Sequence, residues 1–95
     1  GVVSLKYEVV PTSKFKKELK KMKMRGADVT LLKEVVKKLA SGEALPIKNN
    51  AHRLSGSYSD YYECHIKPDW LLIYQFIEDK LVLSLVRTGT HSDLF

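Results

Sequence analysis

Ninety-five residues, 44% apolar and 28% charged, suffice for one small core and are too rich in apolar residues for a disordered chain. Sixteen basic against eleven acidic residues leave a net charge of +5, which suits a polyanionic partner such as RNA, DNA, an anionic membrane or an acidic protein. A single cysteine, Cys64, rules out an internal disulfide and fits a reducing, cytoplasmic setting, and Gly1-Val2-Val3 starts neither a signal region nor a membrane span.

Leu5 to Val10 reads as a strand ended by Pro11, which cannot donate to a ladder. Thr12 or Ser13 caps a helix running to about Met24, with Phe15, Leu19 and Met22 on one apolar stripe and Gly26 placed to stop it. Asp28 opens a second helix that ends near Ser41-Gly42, its stripe formed by Leu31, Leu32, Val35, Val36 and Leu39. The short link Arg25 to Ala27 predicts an antiparallel helical hairpin. Glu43 to Ser57, with Pro46, Asn49, Asn50 and Gly56, reads as irregular.

From Tyr58 to Lys67 the chain alternates, with Tyr62, Cys64 and Ile66 on one face and Tyr61, Glu63 and His65 on the other. Lys67-Pro68-Asp69 forms a turn, and Trp70 to Ile77, apolar on both faces, reads as a central strand. Glu78-Asp79-Lys80 turns into a partner strand, Leu81 to Arg87, whose alternation puts Arg87 on the face of Leu83 and Leu85. Thr88 to Phe95 reads as a polar tail with an aromatic end. The order is βααβββ: an α+β domain over residues 1–95, two helices on one face of a mostly antiparallel sheet.

The chemistry is concentrated from His52 onward, where His52, His65 and His91 stand with Glu63, Asp69, Trp70 and Arg87. Cutting RNA without metal requires a base for the 2′-hydroxyl, an acid for the leaving 5′-oxygen, and a cation for the phosphoryl oxygens. Imidazoles and carboxylates meet the first two needs, and arginine the third. Arg87 could equally pair with Asp69 or Glu63. The histidines fall in three elements without ligand spacing, so no metal or other cofactor is expected, and Cys64 points away from His65. The first helix is crowded with lysine against one acid, Glu18, which makes Lys16, Lys17, Lys20 and Lys21 candidate RNA contacts. Trp70 and Phe95 are candidates for stacking on unpaired bases. The rival reading is a basic RNA- or ribosome-binding module that does not cut, its histidines structural.

Three blocks carry a family resemblance. His52-Arg53-Leu54-Ser55-Gly56-Ser57-Tyr58 resembles the H-x-L-x-G-x-[WY] element of YafQ-type toxins, a branch of the RelE superfamily of bacterial toxin–antitoxin systems. Glu63 to Tyr74 is similar to that branch's [DE]-x-H-[IV]-x-P-[DN]-[WY]-[IVL]-L-[IVL]-Y segment, and Arg87 to Phe95 to its closing R-x-G-[TS]-H-[AS]-x-L-F. The resemblance implies a RelE-like fold and a ribosome-dependent endoribonuclease that cuts mRNA without metal, leaving a 2′,3′-cyclic phosphate. It implies site roles for His52, His65, Asp69, Arg87, His91 and Phe95. His91 would be the leading acid, Arg87 the phosphate stabiliser, His65 and Asp69 base or orienting groups, and Phe95 a base contact. Glu63 stands where some members carry aspartate. A cognate antitoxin, the ribosome and mRNA are the implied partners.

Overall fold

The computed structural model describes residues 5–95, so the start of the expected domain, including Gly1-Val2-Val3, lies outside it. In chain order its elements are β1 (Glu8–Pro11), α1 (Ser13–Met24), α2 (Val29–Ala40), β2 (His52–Arg53), β3 (Tyr62–Lys67), β4 (Trp70–Ile77), β5 (Val82–Gly89) and α3 (His91–Leu94). One five-stranded sheet has the order β1-β5-β4-β3-β2. Among the described residues, only β1 and β5 run parallel; the other neighbours are antiparallel.

The helical stripes expected from spacing cover one sheet face. Phe15 and Met22 of α1, with Leu32, Val35 and Leu39 of α2, pack on Cys64, Leu72, Tyr74, Leu83 and Leu85. Both helix starts are capped as their sequence indicates. Thr12 Oγ1 accepts the Phe15 N–H and donates to the Val86 carbonyl, which ties α1 to β5. Asp28 accepts the Thr30 N–H at the start of α2.

Five expectations are corrected. β1 begins at Glu8, because the Lys6 and Tyr7 amides bond instead to the Ala40 carbonyl at the end of α2. Pro11 belongs to the strand; on a sheet edge its missing N–H is tolerated, and Thr12 N–H resumes the ladder to Leu85 O. The segment read as irregular contains the two-residue β2, and β3 starts at Tyr62 after a 3₁₀ turn at Gly56–Tyr58. Leu81 is outside β5: it closes the Glu78–Lys80 turn with φ 51°, a left-handed position that terminates the hairpin loop. The tail is ordered, since β5 runs on through Gly89 and α3 follows it.

The strict alternation of β5 also fails, with a direct effect on the site. Ile73 pairs with Arg87 and Tyr74 with Leu85, leaving Val86 as an extra, bulged residue. Leu83 and Leu85 face the helices, whereas Arg87 shares the register, and so the face, of Ile73. That opposite face carries a smaller apolar cluster of Leu71, Ile73 and Leu94, bordered by Leu54, Tyr61 and Val86.

Candidate active site

The smaller cluster is a floor, and the candidate groups stand around it. Register places His52 opposite Glu63, Glu63 opposite Ile73, and Ile73 opposite Arg87. At normal strand spacing this row spans roughly 15 Å. The next row runs His65, Leu71, Gly89, and His91 begins the turn just beyond it. The His65 and His91 rings are 5.8 Å apart between centroids.

Each imidazole is anchored by Nδ1. His91 Nδ1 meets Asp69 Oδ1 at 2.6 Å, His65 Nδ1 the Pro68 carbonyl at 3.2 Å, and His52 Nδ1 the Asn50 carbonyl at 2.8 Å. Carbonyl and carboxylate oxygens accept only, so Nδ1 donates in every case and Nε2 is left for other work. His52 Nε2 lies 3.5 Å from Glu63, a carboxylate that is otherwise buried. Asp69, in the two-residue β3–β4 turn, also accepts the His91 backbone N–H at 3.0 Å. That backbone bond and the ring bond hold its carboxyl below the usual range, so it stays ionised and orients His91. This geometry suits Asp69 to orienting a ring more than to removing a proton itself.

What keeps α3 in place decides where His91 points. Ordering four residues costs roughly 4–8 kcal/mol, and burying Leu94 returns only about 1.5–3 kcal/mol. Polar contacts make up the difference. Thr90 and Asp93 form a capping box, and Arg25 at the end of α1 grips Asp93 at two points, 2.7 and 3.1 Å. Arg25, with the Thr90 amide, holds the Asp93 carboxyl far below its ordinary value. Because the folded value is depressed, the clamp contributes fully above the ordinary carboxylate range and is lost only as pH falls through that depressed value.

Gly89 makes room for this clamp. A Cβ there would lie 2.9 Å from Asp93 Cβ and 3.0 Å from its Oδ2, at a φ of +158°. Gly89→Ala should therefore destabilise the fold by about 1–3 kcal/mol. The loss should register as a lower Tm, with faster amide exchange concentrated in α3. Unchanged α3 protection would count against the clamp.

Arg87 does not pair with Asp69 or Glu63. Its partner is Glu18 of α1, at 2.8 Å (Nη2–Oε2) and 3.3 Å (Nε–Oε1), and Nη2 also reaches the Asp93 carbonyl at 3.5 Å. Arg87 thus contacts the turn that carries His91. It also rims a cleft of about 330 Å³ lined by Leu54, Ser55, Tyr58, Tyr61, Leu94 and Phe95, among others. Phe95 and Tyr58, 75% and 64% exposed, present free aromatic surface at this cleft. Trp70 corrects its expected role: it is 3% exposed and donates its indole N–H to Thr88, so it has no free face for a base. It fixes β4 against β5 beneath the site instead. Lys16, Lys17, Lys20 and Lys21 are all exposed. Cys64 is fully buried, with its thiol pushed up to about 12 by desolvation, and takes no part. Among the described residues, no three His, Cys, Asp or Glu side chains cluster as a metal site.

Glu18, Arg25, Tyr58 and Asp93 were not singled out as site residues by sequence reasoning. Thr90-x-x-Asp93 is a readable capping signature; the cross-element partners of Arg25 and Glu18 leave no local signal.

Fold and site together define a RelE-like toxin domain, with two helices on one side of a mostly antiparallel sheet and histidines on the other. The chain belongs to the YafQ family, the bacterial toxins of type II toxin–antitoxin systems, which it matches over residues 7–95. It is 38% identical over 85 residues to the mRNA interferase toxin YafQ of Escherichia coli strain K12, covering 88% of this chain and 90% of that protein. The toxin in the crystal structure of the E. coli DinJ–YafQ toxin–antitoxin complex superposes with a TM-score of 0.86 at 32% identity, over 96% of this chain and 99% of that one. A metal-bound toxin from Helicobacter pylori superposes with a TM-score of 0.89 at 43% identity, over 94% and 99%.

Proposed function

We propose that this chain is an endoribonuclease toxin that cuts mRNA on the ribosome and is neutralised by a cognate antitoxin. The observation that carries the reading is the paired imidazoles: His65 and His91, 5.8 Å apart, each anchored through Nδ1 with Nε2 left to act. His65 Nε2 removes the proton from a 2′-hydroxyl, and the oxygen attacks the adjacent phosphorus. The P–O5′ bond breaks, and His91, oriented by Asp69, protonates the departing 5′-oxygen. The products are a 2′,3′-cyclic phosphate and a 5′-hydroxyl. Arg87 meets the charge that builds on the phosphoryl oxygens.

His52 and Glu63, one row away, place the substrate. The Tyr58–Phe95 cleft takes an unpaired base, supported by its apolar floor and its two exposed aromatic walls. The α1 lysines, Lys16, Lys17, Lys20 and Lys21, meet RNA phosphates. The reaction uses no metal, and the protein acts in the cytoplasm, where its ribosomes are. Among the described residues, no helix is long and apolar enough to cross a membrane. A cognate antitoxin is supported by the DinJ–YafQ complex formed by a relative.

Primer extension on a translated message tests the reading. Chain stripped with chelator, desalted and added to programmed ribosomes should produce discrete strand breaks, and the same message untranslated should stay intact. Ribosome association without breaks would replace this reading by the non-cutting module.

A further inference from the structure

Glu18 is the only acid in α1, where lysines stand at 14, 16, 17, 20, 21 and 23. Helical spacing sorts these residues. Lys14, Lys17, Glu18 and Lys21 fall at i, i+3, i+4 and i+7, one face, and with Arg87 and Asp93 they border a cavity of about 310 Å³. Lys16, Lys20 and Lys23 lie off that face and do not line it. The Glu18 carboxylate spans to Arg87 and makes no hydrogen bond to a lysine of its own helix; the two-point contact, 2.8 and 3.3 Å, is the one a guanidinium makes with a phosphate. Both side chains are largely enclosed, Arg87 at 26% and Glu18 at 14% exposure. Lys14, Lys17, Lys21 and Arg87 outnumber Glu18 and Asp93 around the cavity, so an excess of positive charge remains even with Glu18 in place.

We infer that Glu18 is a resident counter-ion in a phosphate subsite: an RNA phosphodiester displaces its carboxylate from Arg87 and is held among Lys14, Lys17 and Lys21. The inference rests on the nuclease reading only in naming RNA as the ligand. Its consequence is selectivity. In the free protein Arg87 is already occupied, so a loose RNA strand must compete with Glu18. A strand held in place by further contacts wins that competition. The carboxylate lowers casual affinity while keeping the guanidinium extended toward the site.

The test is binding of a short single-stranded oligodeoxynucleotide, which lacks the 2′-hydroxyl and so cannot be cut, followed by fluorescence anisotropy across a salt series. Glu18→Gln removes one negative charge without changing shape. It should tighten binding about three- to tenfold. It should also steepen the log–log salt slope by about 0.7, one added phosphate contact on a single strand. Lys17→Gln should weaken binding and flatten the slope by a similar amount, while Lys23→Gln, off the cavity, should change affinity less than twofold. Unchanged or weaker binding by a folded Glu18→Gln protein, confirmed by circular dichroism, overturns the inference. Should that variant not fold, equal losses from Lys17→Gln and Lys23→Gln overturn it instead. A protein that binds as expected yet never cuts a translated message sinks the nuclease reading and leaves this subsite standing. A protein that cuts, but whose oligonucleotide affinity ignores Glu18, does the reverse.

Discussion

His91→Ala is expected to lower the single-turnover rate of message cleavage on programmed ribosomes by about 10²–10⁴-fold, the span associated with a positioned general acid or base. The reason is geometric. His91 is the first residue of α3, with its backbone N–H and its ring both bound to one Asp69 oxygen. Its free Nε2 is therefore fixed by two bonds rather than one. Alanine keeps the backbone bond and, being a good helix residue, leaves α3 and its capping box intact. The loss should fall on kcat with ribosome affinity and Tm nearly unchanged.

Asp69→Asn gives the companion result. An amide oxygen still accepts the backbone N–H, but the negative charge beside His91 is gone, so a fall in rate with an altered pH profile is expected. If His91→Ala cleaves within threefold of the parent chain, the histidine pair is structural and the acid lies elsewhere.

Most of the scaffold was legible from sequence because it rests on local rules. The two helices follow from i, i+3, i+4 spacing and from the Thr12 and Asp28 caps, and β3 and β4 from alternation and a two-residue turn. The floor of the site was partly legible too, since Trp70 to Ile77 was apolar on both faces and needed a second cluster to cover Leu71 and Ile73. What alternation could not supply was the bulge at Val86. One unpaired residue turns Arg87 from the helix face to the histidine face, and no residue type in the run announces it. Trp70 shows the converse problem. As an aromatic side chain it was a candidate for stacking on a base, but an indole that finds Thr88 as a hydrogen-bond partner can be buried in the core. Thr90-x-x-Asp93 could have been read as a helix start; the partner that stabilises it, Arg25, is 68 residues away in sequence and visible only in three dimensions.

Arg87→Ala should cost about 10²–10³-fold in kcat, as removal of one donor to a developing oxyanion commonly does. Arg87→Lys should recover less than tenfold of that loss. Lysine keeps the charge but not the planar fork whose two-point grip, made to Glu18 by Nε and Nη2 in the free protein, is the one a phosphate would take over. An ammonium at that place would choose one oxygen and lose the others.

Two further features separate a stabiliser of the transition state from a mere anchor. Arg87 stands at the edge of the sheet beyond Pro11, where β5 has lost β1 as a neighbour and its side chains are free to lean toward α1. It also holds the backbone of α3, so its loss should loosen His91 slightly, and Arg87→Ala with His91→Ala should cost less together than the sum of the two. The decisive measurement is a phosphorothioate at the cut position. Replacing the non-bridging oxygen that faces Arg87 should slow the parent enzyme and leave Arg87→Ala almost indifferent. A thio effect of equal size in both proteins would mean that the guanidinium binds the strand but does not act on the oxygen that gains charge.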